Sequence, residues 1–160
     1  MRLKPVSLVS SNVNHLSKLV ALDQRSVDNP WTMNRFEKVL SKRSVHGIGA
    51  FDQDRNLWGY VIYDSAEPNN LSVVSLLVDK KSRRMGIGTG LLDCVRAAMN
   101  SIGVMAKFHC YVSEDDDAAI RFLTSYKEMR KISLQTSLVR GEPRDVYQFV
   151  FQEALVESCV

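Results

Sequence analysis

The chain has 160 residues, 45% of them hydrophobic and 24% charged, and carries a net charge of +3. One domain of ordinary size accounts for that length, here residues 1–160, and the composition excludes a disordered chain, a collagen-like repeat and a coiled-coil rod. The charge is too mild to argue for a nucleic-acid partner. The cysteines Cys94, Cys110 and Cys159 lie far apart without C-x-x-C spacing, which speaks against disulfides or zinc and for a reducing cytoplasm.

Met1 to Pro5 opens without the apolar core of a signal peptide. No apolar run approaches the roughly 18 residues that a membrane helix needs. Leu3 to Val9 reads as a first strand. Leu16, Leu19 and Val20 follow at helical spacing. Pro30-Trp31-Thr32 interrupts the chain, and Thr32 is placed to cap a second helix with an apolar face of Phe36, Val39 and Leu40. Val45 to Phe51 and Leu57 to Tyr63 form strands of an antiparallel hairpin, joined by the turn-forming Asp52 to Asn56. Leu71 to Val78 is nearly continuously apolar, as expected of a central strand buried on both faces.

A long helix carries the stripe Leu91, Leu92, Val95, Ala98, Met99 and Ile102, with Gly103 as its C-terminal cap. Val104 to Val112 is a further strand. The acids Glu114 to Asp117 suit a helix N-terminus, and Ala118, Ala119, Phe122, Leu123 and Tyr126 form that helix's apolar face. Strands around Met129 to Leu134 and Val146 to Phe151 close the chain, the last with Tyr147, Phe149 and Phe151 on one face. The order β-α-α-β-β-β-α-β-α-β-β belongs to the α/β (α+β) class, with a mixed, mostly antiparallel sheet and helices on both faces.

Glycine is sparse, with eight in all, yet three alternate at Gly86, Gly88 and Gly90, directly after a buried strand and at the start of a helix. Helix N-termini present free N–H groups and a favourable dipole to anions, and glycine lets the backbone come close. Arg83 and Arg84 at the rim add charge-assisted bonds. The stretch therefore reads as a diphosphate site built mostly of backbone. Read alone, the basic run Lys80 to Arg84 would be a solvated face or a nucleic-acid patch. The pattern G-x-x-x-x-G-K-[ST] is absent, and a dinucleotide fingerprint would need glycine where Leu91 stands.

Arg83-x-x-Gly86-x-Gly88 resembles the acetyl-CoA signature of the GCN5-related N-acetyltransferases. Leu76-Leu77-Val78-Asp79 fits that family's strand four, Gly90-Leu91-Leu92 its third helix, and the element order fits over essentially the whole chain. The resemblance implies a cytoplasmic acyltransferase, acting as monomer or homodimer without metal, membrane or nucleic acid. It would move an acetyl group from acetyl-CoA to a primary amine by direct attack in a ternary complex. The backbone of Leu77 and Val78 would pair with the pantetheine arm, with the Val78 N–H as oxyanion donor. Arg83, Arg84, Met85, Gly86, Ile87, Gly88 and Thr89 would form the pyrophosphate loop. Asp116 stands where the family commonly has an asparagine that contacts the cofactor; helix capping is its alternative role.

Asn29-Pro30-Trp31-Thr32 is similar to the Pro-Trp segment of the bacterial enzymes that acetylate a ribosomal protein's N-terminus, where it lines the acceptor groove. A hydrophobic staple at a helix start is the other reading of Trp31. Two departures from the pattern stand out. Tyr111 occupies the position of the usual strand-five glutamate base, and Leu123 that of the usual helix-four tyrosine acid. The substitutes are Tyr126 as acid, with core packing as the alternative, and Glu114, Tyr111 or His109 as base, directly or through water. Cys110, with no His–Asp partner, reads as core. Three activities fit: a protein or peptide N-acetyltransferase, a small-molecule amine acetyltransferase, and a non-catalytic CoA-binding relative.

Overall fold

The computed structural model describes residues 2–83, 85–127, 129–139 and 141–153; Arg84 and Cys159, both named above, lie outside them. The elements are β1 (Lys4–Ser7), α1 (Val13–Ser26), α2 (Met33–Leu40), β2 (Val45–Phe51), β3 (Leu57–Glu67), β4 (Asn70–Val78), α3 (Ile87–Ile102), β5 (Lys107–Ser113), α4 (Asp117–Ser125), β6 (Arg130–Val139) and β7 (Glu142–Phe151). A single 3-10 turn, Lys80–Ser82, sits between β4 and α3. The strands form one sheet in the order β1-β2-β3-β4-β5-β7-β6, antiparallel except where β4 meets β5. Among the described residues no helix is long and apolar enough to cross a membrane.

Strand alternation sorts the core into two layers. On one face Leu16, Leu19 and Leu22 of α1 and Phe36 and Val39 of α2 pack on Tyr60 and Ile62. On the other, Leu91, Leu92, Val95 and Met99 of α3 and Leu123 of α4 pack on Val61, Val73, Phe108 and Phe149. Leu19, Leu22, Phe36 and Leu92 are fully buried, and truncating such a side chain to alanine costs about 2–5 kcal/mol. The Asn12 and Thr32 side chains cap α1 and α2, accepting from the N–H groups of His15 and Arg35.

The sheet does not stay closed between β4 and β5. Their parallel pairing runs only from Asn70↔Lys107 to Val73↔Cys110. At that point β4 carries a bulge: Tyr63 pairs with Val73 and Ile62 with Ser75, leaving Val74 as the extra residue. Beyond it, Ser75 to Val78 stay with β3 while Tyr111 to Ser113 stay with β7. The two central strands therefore diverge. This corrects the expectation of a β4 buried on both faces: its C-terminal half is only partly buried and Val74 is 41% exposed. Other differences are local. Val104 and Met105 form an exposed turn before β5. The closing hairpin is longer than its apolar runs, because β6 and β7 pair as far as Val139↔Glu142. Ala118 is exposed.

Candidate active site

The loop after β4 is held from below by Asp79, which is buried. Its carboxylate accepts from the Lys81 N–H at 3.0 Å and from Arg25 Nε and Nη2 at 3.0 and 2.8 Å. Burial pushes the Asp79 carboxyl up, but the Lys81 amide and the Arg25 guanidinium outweigh it, so the group sits below the ordinary aspartate value. The C-terminal end of α1 is thereby tied to the start of the glycine loop. Arg83 and Thr89 are exposed. The first amides of α3 have no carbonyl within their own helix.

The glycines divide by function. Gly86 caps α3 at φ 77°, a left-handed conformation suited to glycine, and a side-chain carbon there would meet nothing within 4 Å. Gly88 is different: a Cβ would stand 3.0 Å from Phe122 Cζ. Its bareness lets α4 close on α3, so a bulky residue at 88 would disturb the fold as well as any ligand. Met85 is exposed and borders, with Gly86, a second hollow of about 470 Å³ between β1 and α3. The Ile87 side chain is core, leaving only its backbone toward the loop.

A groove of about 910 Å³ runs through the gap between the splayed strands. Val74 to Leu77 form one wall and Cys110 to Ser113 the other. At one end stand Asp116, Ala119 and Leu123, and at the other Pro30, Trp31, Thr32 and Arg35. Leu138 and Gly141 of the closing hairpin add to the rim. Along Ser75 to Val78, β4 turns an edge toward this gap that β5 does not pair.

Trp31 is a staple, and it stands on the groove. It precedes the cap Thr32 and packs on Phe36, four residues into the cap–helix frame, with ring centroids 5.2 Å apart, which is a hydrophobic staple. It also lines the groove, with the Arg35 guanidinium 5.3 Å from its ring. The Trp31 N–H donates to Asp23 Oδ2 at 2.9 Å, and Asp23 is wholly buried.

The structure brings some expected site residues together and separates others. Leu77, Tyr111 and Asp116 line the groove, and Val78 ends the same β4 edge. The Asp116 carboxylate accepts from the Ala119 N–H as the cap of α4. Glu114 is exposed outside the groove, its N–H donating to the Asp145 carbonyl. Tyr126 does not match the expectation that it reaches the leaving sulfur. It is 3% exposed, lies in the core cluster, and its hydroxyl donates to Asp93 Oδ1 on α3 at 2.7 Å. Burial first, then the Asp93 bond, holds its phenol well above the ordinary tyrosine value. His109 is buried with Nδ1 2.9 Å from Asn70 Oδ1, and burial lowers its basicity. Burial pushes the Cys110 thiol up to about 12, so it is no nucleophile at neutral pH. No cluster of three or more His, Cys, Asp or Glu side chains that could hold a metal occurs among the described residues.

The sequence reading passed over Asp23, Tyr60 and Ser75. Tyr60 Oη donates to Asp23 Oδ1 at 2.5 Å and lies 3.1 Å from Ser75 Oγ, on the groove wall. One signal was available: Leu16, Leu19, Val20 and Asp23 fall at i, i+3, i+4 and i+7, which puts an acid on the apolar stripe of α1.

The acetyltransferase (GNAT) family model matches residues 14–126, from α1 to the end of α4. The chain belongs to that family. Among solved structures it is similar to the ribosomal-protein-S18-alanine N-acetyltransferase from Escherichia coli, with a TM-score of 0.77 and 15% identity over 98% of both chains. Arabidopsis thaliana NAA60 in complex with acetyl-CoA gives 0.77 and 18%, covering 94% of this chain and 98% of that one. The spermidine/spermine N-acetyltransferase SpeG from Vibrio cholerae gives 0.70 and 14%, covering 94% of each. No curated protein matches the sequence significantly. The GNAT family chain is thus an N-acetyltransferase by membership, with the mixed sheet and element order expected from its sequence.

Proposed function

We propose that this GNAT protein transfers the acetyl group of acetyl-CoA to the N-terminal amine of a peptide or protein. The observation that carries the reading is the charge of the acceptor mouth. Pro30, Trp31 and Thr32 make it broad and largely apolar, and among the described residues that line it the one cation is Arg35. Asp116 is the only carboxylate lining the groove among the described residues, and it already caps α4. A polyamine would bring several positive charges to a wall whose described residues offer no carboxylate besides that cap, and like-charge juxtaposition costs several kcal/mol. The amine chemistry points the same way. An α-amine with a pKa of about 7.7–8 costs near 1 kcal/mol to deprotonate at pH 7, whereas a lysine amine costs about 4–5 kcal/mol.

The residues fit an acetyl-CoA ligand as follows. The unpaired β4 edge at Leu77 and Val78 suits an extended pantetheine arm, with the Val78 N–H directed at the thioester oxygen. The amides from Met85 to Thr89, with the open space over Gly86 and the exposed side chain of Arg83, suit the diphosphate; Arg84 adds a second positive charge next to Arg83 in the sequence. Asp116 lines the groove beside Ala119 and Leu123. Acetyl-CoA supplies the activated acyl group; the chain supplies orientation, with much of the acceleration coming from proximity. Tyr111 lines the groove, where it would meet the amine directly or through water. The free Cys94 and Cys110 thiols suit a reducing compartment such as the cytoplasm.

Thiol release from acetyl-CoA, measured with a peptide panel, free amino acids and spermidine, tests the reading. Peptides should exceed spermidine in kcat/KM by roughly 10²-fold, the scale of a like-charge penalty. Mass spectrometry should place the acetyl group on the α-amine. The reverse ranking overturns the reading.

A further inference from the structure

The usual glutamate base is replaced by Tyr111, yet a carboxylate lies close behind the groove wall. Asp23 and Tyr60 are both 0% exposed, and they meet at 2.5 Å. Asp23 Oδ2 takes the Trp31 N–H, and its Oδ1 takes the Tyr60 hydroxyl. Within these two bonds, proton accounting sets the direction. A carboxylate only accepts, so Tyr60 spends its single proton on Asp23. Tyr60 Oη can therefore only accept from Ser75 Oγ at 3.1 Å, and Ser75 spends its proton in turn. Ser75 lies on the groove wall, one residue past the bulge where β4 parts from β5. The Tyr60 partner places that hydroxyl on the α1–α2 side, the side of Trp31.

We propose that Ser75 accepts a hydrogen bond from the acceptor amine and, through Tyr60, passes the amine's proton to Asp23. The inference rests on the acetyl-transfer reading above. The amine nitrogen forms the C–N bond to the acetyl carbon and the C–S bond breaks, its electron pair leaving with sulfur. The nitrogen's surplus proton moves to Ser75 Oγ, the serine proton to Tyr60 Oη and the tyrosine proton to Asp23 Oδ1. The thiolate takes a proton from solvent, and Asp23 later returns its own by the reverse route. Ser75 touches the substrate. Tyr60 and Asp23 are positioning residues, and Asp23 also fixes the acceptor loop through Trp31.

The test compares Ser75→Ala, Tyr60→Phe, their double variant and Ser75→Thr. Each single variant should lower kcat for a peptide acceptor roughly 30- to 100-fold, near the lower end of general-base effects. Calorimetric affinity for CoA should stay within about twofold, since neither side chain faces the cofactor loop. The double variant should be no slower than either single one, as for residues acting as a unit. Ser75→Thr, which keeps the hydroxyl, should recover most of the rate. A CoA–peptide bisubstrate analogue, whose amide N–H stands in for the amine, should bind Ser75→Ala about tenfold more weakly than wild type, the loss of one hydrogen bond. Multiplying losses in the double variant, or unchanged analogue affinity, would overturn the relay. If wild type acetylates no peptide, the peptide reading falls. Hydrolysis of acetyl-CoA, with water in the amine's place, then decides the relay alone: slowed in both single variants it stands, unchanged it fails.

Discussion

Gly88→Ala separates two reasons for a glycine at the start of α3. The added Cβ would sit 3.0, 3.3 and 3.5 Å from three atoms of the Phe122 ring, so the ring must shift by a few tenths of an ångström. Overpacking of this kind costs about 1–3 kcal/mol. The alanine returns about 0.4–1 kcal/mol by restricting the unfolded chain. Phe122 is only half-buried and can yield in part, so the net loss should be near 1 kcal/mol, or about 2–4 °C in Tm for a chain of this size. The second variant is Phe122→Leu in the Gly88→Ala background, which makes room for the methyl and should recover most of the loss relative to Phe122→Leu alone. Because the Cβ points at α4 and the Gly88 N–H remains, acetyl-CoA affinity should stay within about threefold, under 1 kcal/mol by the usual conversion. Thermal melts and isothermal calorimetry read both quantities. A Tm unchanged beside a more than tenfold loss of affinity would refute the packing argument and make the space over Gly88 ligand space.

Three further variants follow from the site. Gly86→Ala keeps open space around its methyl but holds alanine at φ 77°, so it should lose about 1–2 kcal/mol of stability in a denaturant titration, with no rescue from any α4 substitution. Arg83→Ala should weaken CoA more than it weakens pantetheine, by roughly tenfold, because only CoA carries the diphosphate; equal losses in calorimetry would remove Arg83 from the site. Asp79 takes up its proton less readily folded than unfolded. The stability it confers is therefore present above the ordinary value of 3.8 and lost as the pH falls through the lower folded value. In Arg25→Ala acid unfolding should begin at higher pH, followed by circular dichroism from pH 6 to 2; an unshifted midpoint would mean that the Lys81 amide alone sets the Asp79 value.

Local rules made much of the fold legible. Val45–Phe51, the Thr32 cap, the Gly103 cap and the sheet class all follow from patterning, turn chemistry and capping residues that act within a few positions. The glycine loop was legible for the same reason. What escaped depends on contacts between distant segments. The apolar run of β4 predicts burial on both faces, and nothing in it reveals that β5 leaves after Cys110. Gly88 looked like a ligand glycine because Phe122, 34 positions on, is not local to it. Asp23, Tyr60 and Ser75 come from α1, β3 and β4, and only the sheet order brings them within hydrogen-bond range.

Tyr126 shows how one sequence position carries opposite expectations. Counting along α4 places it one turn past Leu123, where a leaving thiolate would find its acid; for such an acid, Tyr126→Phe would lower kcat roughly 10²-fold or more. The structure ends α4 at Ser125 and makes Tyr126 its C-terminal cap residue, which turns the ring into the core against Phe108 and Phe151. Its proton is already given to Asp93, a carboxylate 46% exposed and also 3.9 Å from Lys127 Nζ. Phenylalanine keeps the ring and its packing. Water then replaces the lost partner of Asp93, so the cost should be about 1 kcal/mol, the ordinary net value of one hydrogen bond. In Tyr126→Phe the Tm should fall by about 2–4 °C, and kcat should stay within about threefold of wild type, because the ring is buried in the core and its hydroxyl is bonded to Asp93. Asp93→Asn should give a similar Tm loss with the same kcat. Steady-state rates beside thermal melts decide the matter: a hundredfold fall in kcat with an unchanged Tm would return Tyr126 to the reaction and require the hydroxyl to leave Asp93 during turnover.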